Sequence, residues 1–139
     1  MNGQCMCGAV TVTAEPARDG LTVCHCDMCR RWGSVAFMAM TPVEGSVQVD
    51  GPVKIFQSSD WAERAFCETC GSGLWYRITA PGPGQGQYHL AAGLFDLNGM
   101  RVSLELFSDC KPDAYAFAGT RKQMTRAEVM ASFATDGGD

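Results

Sequence analysis

The chain carries Cys24-His25-Cys26-Asp27-Met28-Cys29, with three cysteines in six residues. A second group, Cys5-Met6-Cys7, precedes this stretch, and a third, Cys67-Glu68-Thr69-Cys70, follows it. Cysteines separated by one or two residues lie on a single turn, where their thiolates reach one ion together, and zinc takes four such ligands at about 2.3 Å. The spacing therefore predicts that zinc sites organise the fold.

Other uses of clustered cysteines fit this sequence less well. A disulfide framework is typical of small secreted chains, but the start of the chain, Met1-Asn2-Gly3-Gln4-Cys5, lacks the basic and apolar segments of a signal peptide. A thioredoxin-like redox pair opens a helix, whereas Cys67 and Cys70 lie between two strand-like runs. Buried structural thiols are the remaining alternative, and they do not explain the repeated close spacing.

The number of ligands distinguishes two kinds of zinc site. Two cysteine pairs supply four thiolates to the first site: Cys5, Cys7, Cys67 and Cys70. A full tetrahedral shell of this kind serves folding. The remaining group supplies three thiolates to the second site: Cys24, Cys26 and Cys29. Three protein ligands leave one position open, which is the pattern of catalytic zinc. We therefore predict two Zn²⁺ per chain, one structural and one catalytic.

Length and charge exclude several classes of function. The 139 residues, 46% hydrophobic and 19% charged, predict a single domain over residues 1–139 with an ordinary core. The formal net charge of −4 and the pI of about 5.1 argue against binding to nucleic acid or to an anionic membrane surface. No apolar run reaches the roughly 18 residues of a membrane helix. We predict a cytoplasmic protein, since no export signal is recognised.

Periodicity predicts a mainly β domain with one short helix. Alternating runs such as Val10-Thr11-Val12-Thr13 and Val102-Ser103-Leu104-Glu105-Leu106 indicate strands. Asp50-Gly51 lies between two such runs and predicts a hairpin turn. The capping box Thr125-Arg126-Ala127-Glu128 predicts a C-terminal helix over about residues 125–134. Residues 136–139 are expected to fray.

The cysteine pattern is similar to that of a known family. The segments Gly3-x-Cys5-x-Cys7-Gly8, Cys24-His25-Cys26-x-x-Cys29-Arg30 and Phe66-Cys67-x-x-Cys70-Gly71 resemble the glutathione-dependent formaldehyde-activating enzyme family, also called the centromere protein V/formaldehyde-activating domain. Ala92-Gly93-Leu94-Phe95-Asp96 and Lys111-Pro112-Asp113 extend the resemblance over a core of about residues 3–115. It implies an Mss4-like β-tent of short antiparallel strands around zinc sites, with the two sites assigned as above.

The resemblance also implies a reaction. The family joins formaldehyde and glutathione into S-hydroxymethylglutathione, which makes it formally a carbon–sulfur lyase. The expected partners are thus a small thiol such as glutathione and an aldehyde. A physical basis exists, because a free thiol is only a few per cent ionised at neutral pH, whereas a thiol on Zn²⁺ is deprotonated.

Several residues near the cysteines are candidates for supporting roles. His25 lies between two ligands and is either a proton shuttle or a packed histidine that bonds a ligand thiolate. Arg30, Arg31 and Lys111 are candidates to bind the carboxylates of a glutathione-like thiol, and otherwise are solvated surface charges. The aromatic residues are expected mainly in the core, with one or two forming a wall of the cleft above the catalytic zinc.

Cys110 is the eighth cysteine and allows an alternative function. It precedes Lys111-Pro112-Asp113, where members of the family more often have serine or another small residue. If Cys110 were the fourth ligand of the second zinc, both sites would be closed, and the protein would be a non-catalytic, zinc-stabilised binding module. A buried free cysteine is the other interpretation.

Overall fold

A computed structural model describes residues 1–138 of the chain, with side-chain burial described as far as Phe133. Within this part the backbone forms eleven strands, two α-helices and two short 3₁₀ turns. The mainly β fold predicted from the sequence is confirmed. In the same residues, no helix has both the length and the apolar character needed to cross a membrane.

The strands form two sheets. In chain order the strands are β1 (Asn2–Gln4), β2 (Thr11–Thr13), β3 (Gly20–Cys24), β4 (Phe37–Met40), β5 (Gln48–Asp50), β6 (Val53–Gln57), β7 (Ala62–Cys67), β8 (Gly73–Ile78), β9 (Tyr88–Ala91), β10 (Arg101–Leu106) and β11 (Lys122–Met124). The smaller sheet has the order β1-β2-β5, and the larger has the order β11-β10-β3-β4-β9-β8-β7-β6.

Strand direction departs from the expectation in one region. Most neighbouring strands are antiparallel, as predicted, but β10 runs parallel to both β3 and β11. Alternation of apolar and polar residues identifies a strand without giving its direction. The sequence therefore did not reveal these two parallel pairs.

The hydrophobic core takes residues from both sheets. In the smaller sheet, β2 buries Val12 and exposes the residue on either side. In the larger sheet, Leu74 and Leu90 are fully buried, and each such side chain contributes about 1.5–3 kcal/mol to stability. Cys5 and Cys67 belong to the same cluster of buried residues. The first predicted zinc site is therefore attached directly to the core.

Helix α1 (Asp27–Gly33) was not predicted from the sequence. Cys26 is its N-cap residue and accepts a hydrogen bond from the backbone N–H of Cys29, while Asp27 lies favourably in the first turn. The helix ends at Gly33, and the C-cap residue Ser34 has a φ of 77°, in the left-handed region. Cysteine is not among the usual N-cap residues, so the cap that begins this short helix gave no recognisable signal. The helix buries Cys29 on its inner face.

The turn at Asp50-Gly51 does not close the predicted hairpin. Strand β5 pairs with β2 in the smaller sheet, whereas β6 pairs with β7 in the larger. The hairpin interpretation is therefore wrong, although the chain does turn here. Gly51 has a φ of 117°, and a Cβ atom at this position would press against the backbone carbonyl of Ala9. Glycine is needed because the chain passes from one sheet to the other in contact with this backbone.

We expect Gly51→Ala to destabilise the protein by about 2 kcal/mol or more, since strain at positive φ adds to a backbone clash. Gly45→Ala is the matched control, because Gly45 also has a positive φ of 80° but nothing lies within 4 Å of the place that a Cβ atom would take. It should lose only about 1 kcal/mol. Urea unfolding of both variants measures the difference, and equal losses would contradict the close-approach argument.

Helix α2 (Arg126–Gly138) begins with the predicted capping box. The backbone N–H of Thr125 donates to Glu128 Oε1 at 3.1 Å, and the backbone N–H of Glu128 donates to Thr125 Oγ1 at 3.3 Å. Asp109 Oδ1 also accepts from the backbone N–H of Arg126 at 2.8 Å. The helix continues past the predicted end at residue 134, so residues 136–138 of the predicted tail are helical. Asp139 lies outside the described residues.

Candidate metal centres and active site

The first group of cysteines forms a compact cluster, here called the four-cysteine cluster: Cys5, Cys7, Cys67 and Cys70. All four sulfur atoms lie within 4.8 Å of one another. The sulfur of Cys7 is 3.6 Å from that of Cys5 and 3.9 Å from that of Cys67. One pair follows β1 and the other joins β7 to β8. Four soft sulfur donors this close together are the ligand set of a closed zinc site.

Two similar turns shape the four-cysteine cluster. In each, a glycine with a φ of 80° follows the second cysteine, and its N–H donates to the carbonyl of the first: Gly8 to Cys5 at 3.1 Å and Gly71 to Cys67 at 2.8 Å. Backbone N–H groups also point at sulfur, from Val10 to Cys5 at 3.3 Å. A hydrogen bond with Ser72 lowers the pKa of the Cys70 thiol to about 5. These donors stabilise thiolates, the form that binds metal.

The second group forms the three-cysteine cluster: Cys24, Cys26 and Cys29. Its sulfur atoms also lie within 4.8 Å of one another. Cys24 is the last residue of β3, Cys26 caps helix α1, and Cys29 projects from the first turn of that helix. The transition from strand to helix thus collects three donors on one side.

Electrostatics within the three-cysteine cluster favour a bound cation. Hydrogen bonds from Cys24 and Cys29 lower the pKa of Cys26 to about 2, so this thiol is ionised. The hydrogen bond between Cys24 and Cys26 raises the pKa of Cys24 far above its ordinary value. Without a cation, the Cys26 thiolate is thus stabilised by hydrogen bonds from Cys24 and Cys29, which stay protonated. A divalent ion would remove this competition, because it binds all three as thiolates.

Arg64 faces the three-cysteine cluster from strand β7, and sequence reasoning missed it. Its side chain is buried, and its two terminal nitrogens lie 3.8 and 3.7 Å from the sulfur of Cys29. The guanidinium stacks between the rings of Trp32 at 4.8 Å and Tyr76 at 5.1 Å. The sequence contained one sign of this role. Arg64 begins the strand-like run Arg64-Ala65-Phe66, and an arginine buried in a strand needs a partner.

A groove of about 360 Å³ opens beside Arg64. Helix α1 and strands β6 and β7 supply its walls, which include Met28, Arg31, Trp32, Phe56 and Phe66. Trp32 is one of the aromatic residues that line this groove. Most of the lining is apolar, with two arginines. Such a groove suits a small molecule with an apolar part and an anionic group.

His25 belongs to a buried polar network. The side chain is fully buried, and its Nε2 lies 2.7 Å from Glu105 Oε1, while its Nδ1 lies 2.9 Å from the Tyr115 hydroxyl. Arg121 donates to Glu105 Oε2 at 2.7 Å. His25 is therefore a packed histidine, but it does not bond a ligand thiolate as predicted, because both ring nitrogens already have other partners. Glu105 lies 80 residues away in sequence, so local spacing gives no sign of this partner.

Known proteins show where the chain belongs. The family model described as "Glutathione-dependent formaldehyde-activating enzyme" matches residues 1–119. The chain belongs to this family. An uncharacterized lyase of Schizosaccharomyces pombe is 36% identical over 132 residues, which cover 94% of each chain. A crystal structure of a Rhodobacter sphaeroides protein matches 74% of this chain and 100% of its own with a TM-score of 0.59 and 23% identity, which shows a shared fold.

The basic candidates occupy different environments in this member of the formaldehyde-activating family. Arg31 lines the groove. Arg30 forms an exposed pair with Asp27 at 3.3 Å, a contact that contributes little. Lys111 donates to the carbonyl of Tyr115 at 2.7 Å and to that of Pro112 at 3.2 Å. Lys111 is thus engaged with its own loop, and Arg31 is the predicted residue that faces the groove.

Cys110 lies outside both clusters of the described residues. It is the last residue of a 3₁₀ turn (Ser108–Cys110), where Arg126 Nη2 donates to its sulfur at 3.6 Å and its thiol lies 3.9 Å from Asp109 Oδ1. These contacts account for Cys110 at the start of helix α2. The geometry gives no support to its use as the fourth ligand of the second zinc.

Proposed function

We propose that the protein is a zinc-dependent carbon–sulfur lyase that forms and cleaves the adduct of a small thiol and an aldehyde at the three-cysteine cluster. One observation carries the proposal. Three sulfur donors converge within 4.8 Å, Arg64 links this cluster to a groove by contacting Cys29 and lining the groove, and Cys110 accepts a hydrogen bond from Arg126 instead. Three protein donors and an open fourth position form the pattern of catalytic zinc sites.

The donor sets fit two zinc ions of different kinds. Cys5, Cys7, Cys67 and Cys70 would hold a structural ion with a full shell. Cys24, Cys26 and Cys29 would hold the catalytic ion. When bound there, zinc favours the thiolate form of a thiol substrate and polarises a carbonyl oxygen. None of the eight cysteines is paired in a disulfide, which fits a reducing compartment such as the cytoplasm.

The proposed reaction needs few groups from the protein. The substrate thiol gives up its proton, its sulfur attacks the carbonyl carbon, and a carbon–sulfur bond forms as the carbonyl electron pair moves to oxygen. That oxygen takes a proton to give the hydroxymethyl thioether, and cleavage is the reverse. The groove, with apolar walls such as Trp32 and Phe66, would hold the two reactants together.

Glutathione and formaldehyde are the proposed substrates. The name of the family states this pair, and the groove has a matching charge. Arg31 would bind a carboxylate of glutathione from the rim of the groove. The proposed reaction involves no nucleic acid or membrane partner, in keeping with the net negative charge of the chain.

Exchange NMR on glutathione and formaldehyde tests the proposal. The adduct forms spontaneously, so we expect the zinc-loaded protein to raise the exchange rate at catalytic concentration. Cys26→Ser should return the rate to the spontaneous value, because it removes one of the three ligands. Cys110→Ser is the matched control and should retain the full rate. Absence of any enhancement by the wild-type protein would overturn the proposed reaction, and loss in the control would instead support the closed site.

A further inference from the structure

Arg64 is closely surrounded by other side chains. It lies in the middle of β7 with only 5% of its surface exposed, and its guanidinium is stacked between Trp32 and Tyr76. Trp32 in turn lies against Gly73, where a Cβ atom would come within 3.1 Å of its ring. The small residue at position 73 therefore lets the indole ring lie flat against the strand. Arg64 has little freedom to move away from Cys29.

The contact between Arg64 and Cys29 is aimed at one ligand sulfur. Both terminal nitrogens of the guanidinium approach the same sulfur atom, at 3.8 and 3.7 Å. Charged donors of this kind form the strongest hydrogen bonds to anionic acceptors. Groups that donate to metal ligands without binding the metal themselves commonly change metal affinity or activity by about 10–100-fold.

Charge balance explains what a cation at this position would do. Three thiolates and one Zn²⁺ carry a net charge of −1, and a thiolate in the open position would make it −2. Concentrating negative charge in a partly buried site is unfavourable unless a cation compensates it. Arg64 supplies one positive charge, so the assembly with a bound thiolate falls back to −1. The compensation favours anionic occupants of the open position over neutral ones.

We propose that Arg64 is a positioning residue that makes the three-cysteine centre select an anionic ligand, such as a thiolate, over a neutral donor. This inference rests on the metal centre of the proposed function, and not on its reaction. Arg64 acts through Cys29 and through charge, without itself providing a ligand. It thereby assigns the open position to the thiol substrate, leaving the aldehyde to approach from the groove.

Cobalt-substituted protein tests the selection. Co²⁺ in place of zinc gives an absorption spectrum that changes when the open position takes a ligand, so the affinities for thiocyanate and for imidazole can be measured by titration. We expect Arg64→Gln to lower the ratio of thiocyanate to imidazole affinity by about 10–100-fold. Arg64→Lys keeps the charge but loses the forked donors, and should lower the ratio by about two- to fivefold.

The control is Arg77→Gln on the neighbouring strand β8. Arg77 also stacks on an aromatic ring, Tyr88 at 4.6 Å, but its polar contacts are Glu63 at 3.7 Å and the carbonyl of Gly86 at 3.2 Å. The ratio of thiocyanate to imidazole affinity of the Arg77→Gln variant should equal that of the wild type. If Arg64→Gln does not fold, the lysine variant decides, and an unchanged ratio in either Arg64 variant overturns the proposal.

The outcome is separate from that of the exchange assay. A protein that does not accelerate glutathione exchange but shows the expected ratios would retain the role of Arg64 and lose the proposed reaction. A protein that accelerates exchange with unchanged ratios would retain the reaction and lose the role of Arg64. Failure of the wild type to bind cobalt would overturn the metal centre and the role of Arg64 together.

Discussion

Cys67→Ser is expected to abolish the cooperative fold and to remove the zinc of the four-cysteine cluster. Cys67 is fully buried, belongs to the hydrophobic core and ends strand β7, so its sulfur joins the metal centre to the interior. Structural zinc contributes about 10–16 kcal/mol of binding free energy to folding, and a domain of this size is stable by about 5–15 kcal/mol. The loss is therefore comparable to the total stability.

Metal analysis and thermal unfolding measure this effect. The wild type should contain two zinc ions and unfold in one transition, whereas Cys67→Ser should contain at most one and show no sharp transition. Cys110→Ser provides the control, because Cys110 is half-buried and bonds only near the start of helix α2. It should keep both ions and lose about 1 kcal/mol or less. A folded Cys67→Ser protein with two ions would contradict the assignment of the four-cysteine cluster.

Glu105→Gln is expected to destabilise the protein by about 3–5 kcal/mol, since it breaks a buried ion pair and leaves a charge without its partner. The Glu105 carboxylate is almost completely buried and accepts hydrogen bonds from Arg121 and His25, each at 2.7 Å. The matched control is Glu63→Gln, whose carboxylate lies 3.7 Å from the partly exposed Arg77. A partly exposed pair with this long a separation contributes about 0–1 kcal/mol.

The effect of Glu105→Gln should depend on pH. Burial raises the pKa of the Glu105 carboxyl, but hydrogen bonds from Arg121 and His25 outweigh it and hold that pKa below the ordinary value. A lowered pKa adds stability above the unfolded-state pKa of about 4.3, and this stability is lost as the pH falls through the folded-state pKa. Urea unfolding should thus show a large difference between wild type and variant at pH 7 and a smaller one in acid. A difference independent of pH would contradict an ionised Glu105.

The Glu105 network also explains how a strand far along the chain supports the three-cysteine cluster. His25 lies between Cys24 and Cys26, and its backbone N–H donates to the carbonyl of Leu106 at 3.0 Å. Glu105 and Leu106 both belong to β10, which runs parallel to β3. The backbone that carries two of the three cysteines is therefore fixed through both the side chain and the main chain of the residue between them.

Local spacing predicted the two cysteine clusters, because the cysteine groups are patterns of a few residues. The four-cysteine cluster required only that two such turns meet. Arg64 and Glu105 could not be found this way, since they reach Cys29 and His25 across 35 and 80 residues of sequence. Asp50-Gly51 shows the same limit: its residues predict a turn correctly, but not that the strands on either side belong to different sheets.

Strand β7 connects the two cysteine clusters. Cys67 at its end belongs to the four-cysteine cluster, and Arg64, three residues earlier, contacts Cys29 of the three-cysteine cluster. Order imposed on this strand by one metal therefore prepares the site of the other. With zinc bound at both clusters as proposed, the two binding equilibria would be linked, and we expect occupancy of either centre to raise the affinity of the other by the same factor. We therefore expect zinc loading to be cooperative, so that a preparation short of metal contains mainly fully loaded and empty molecules.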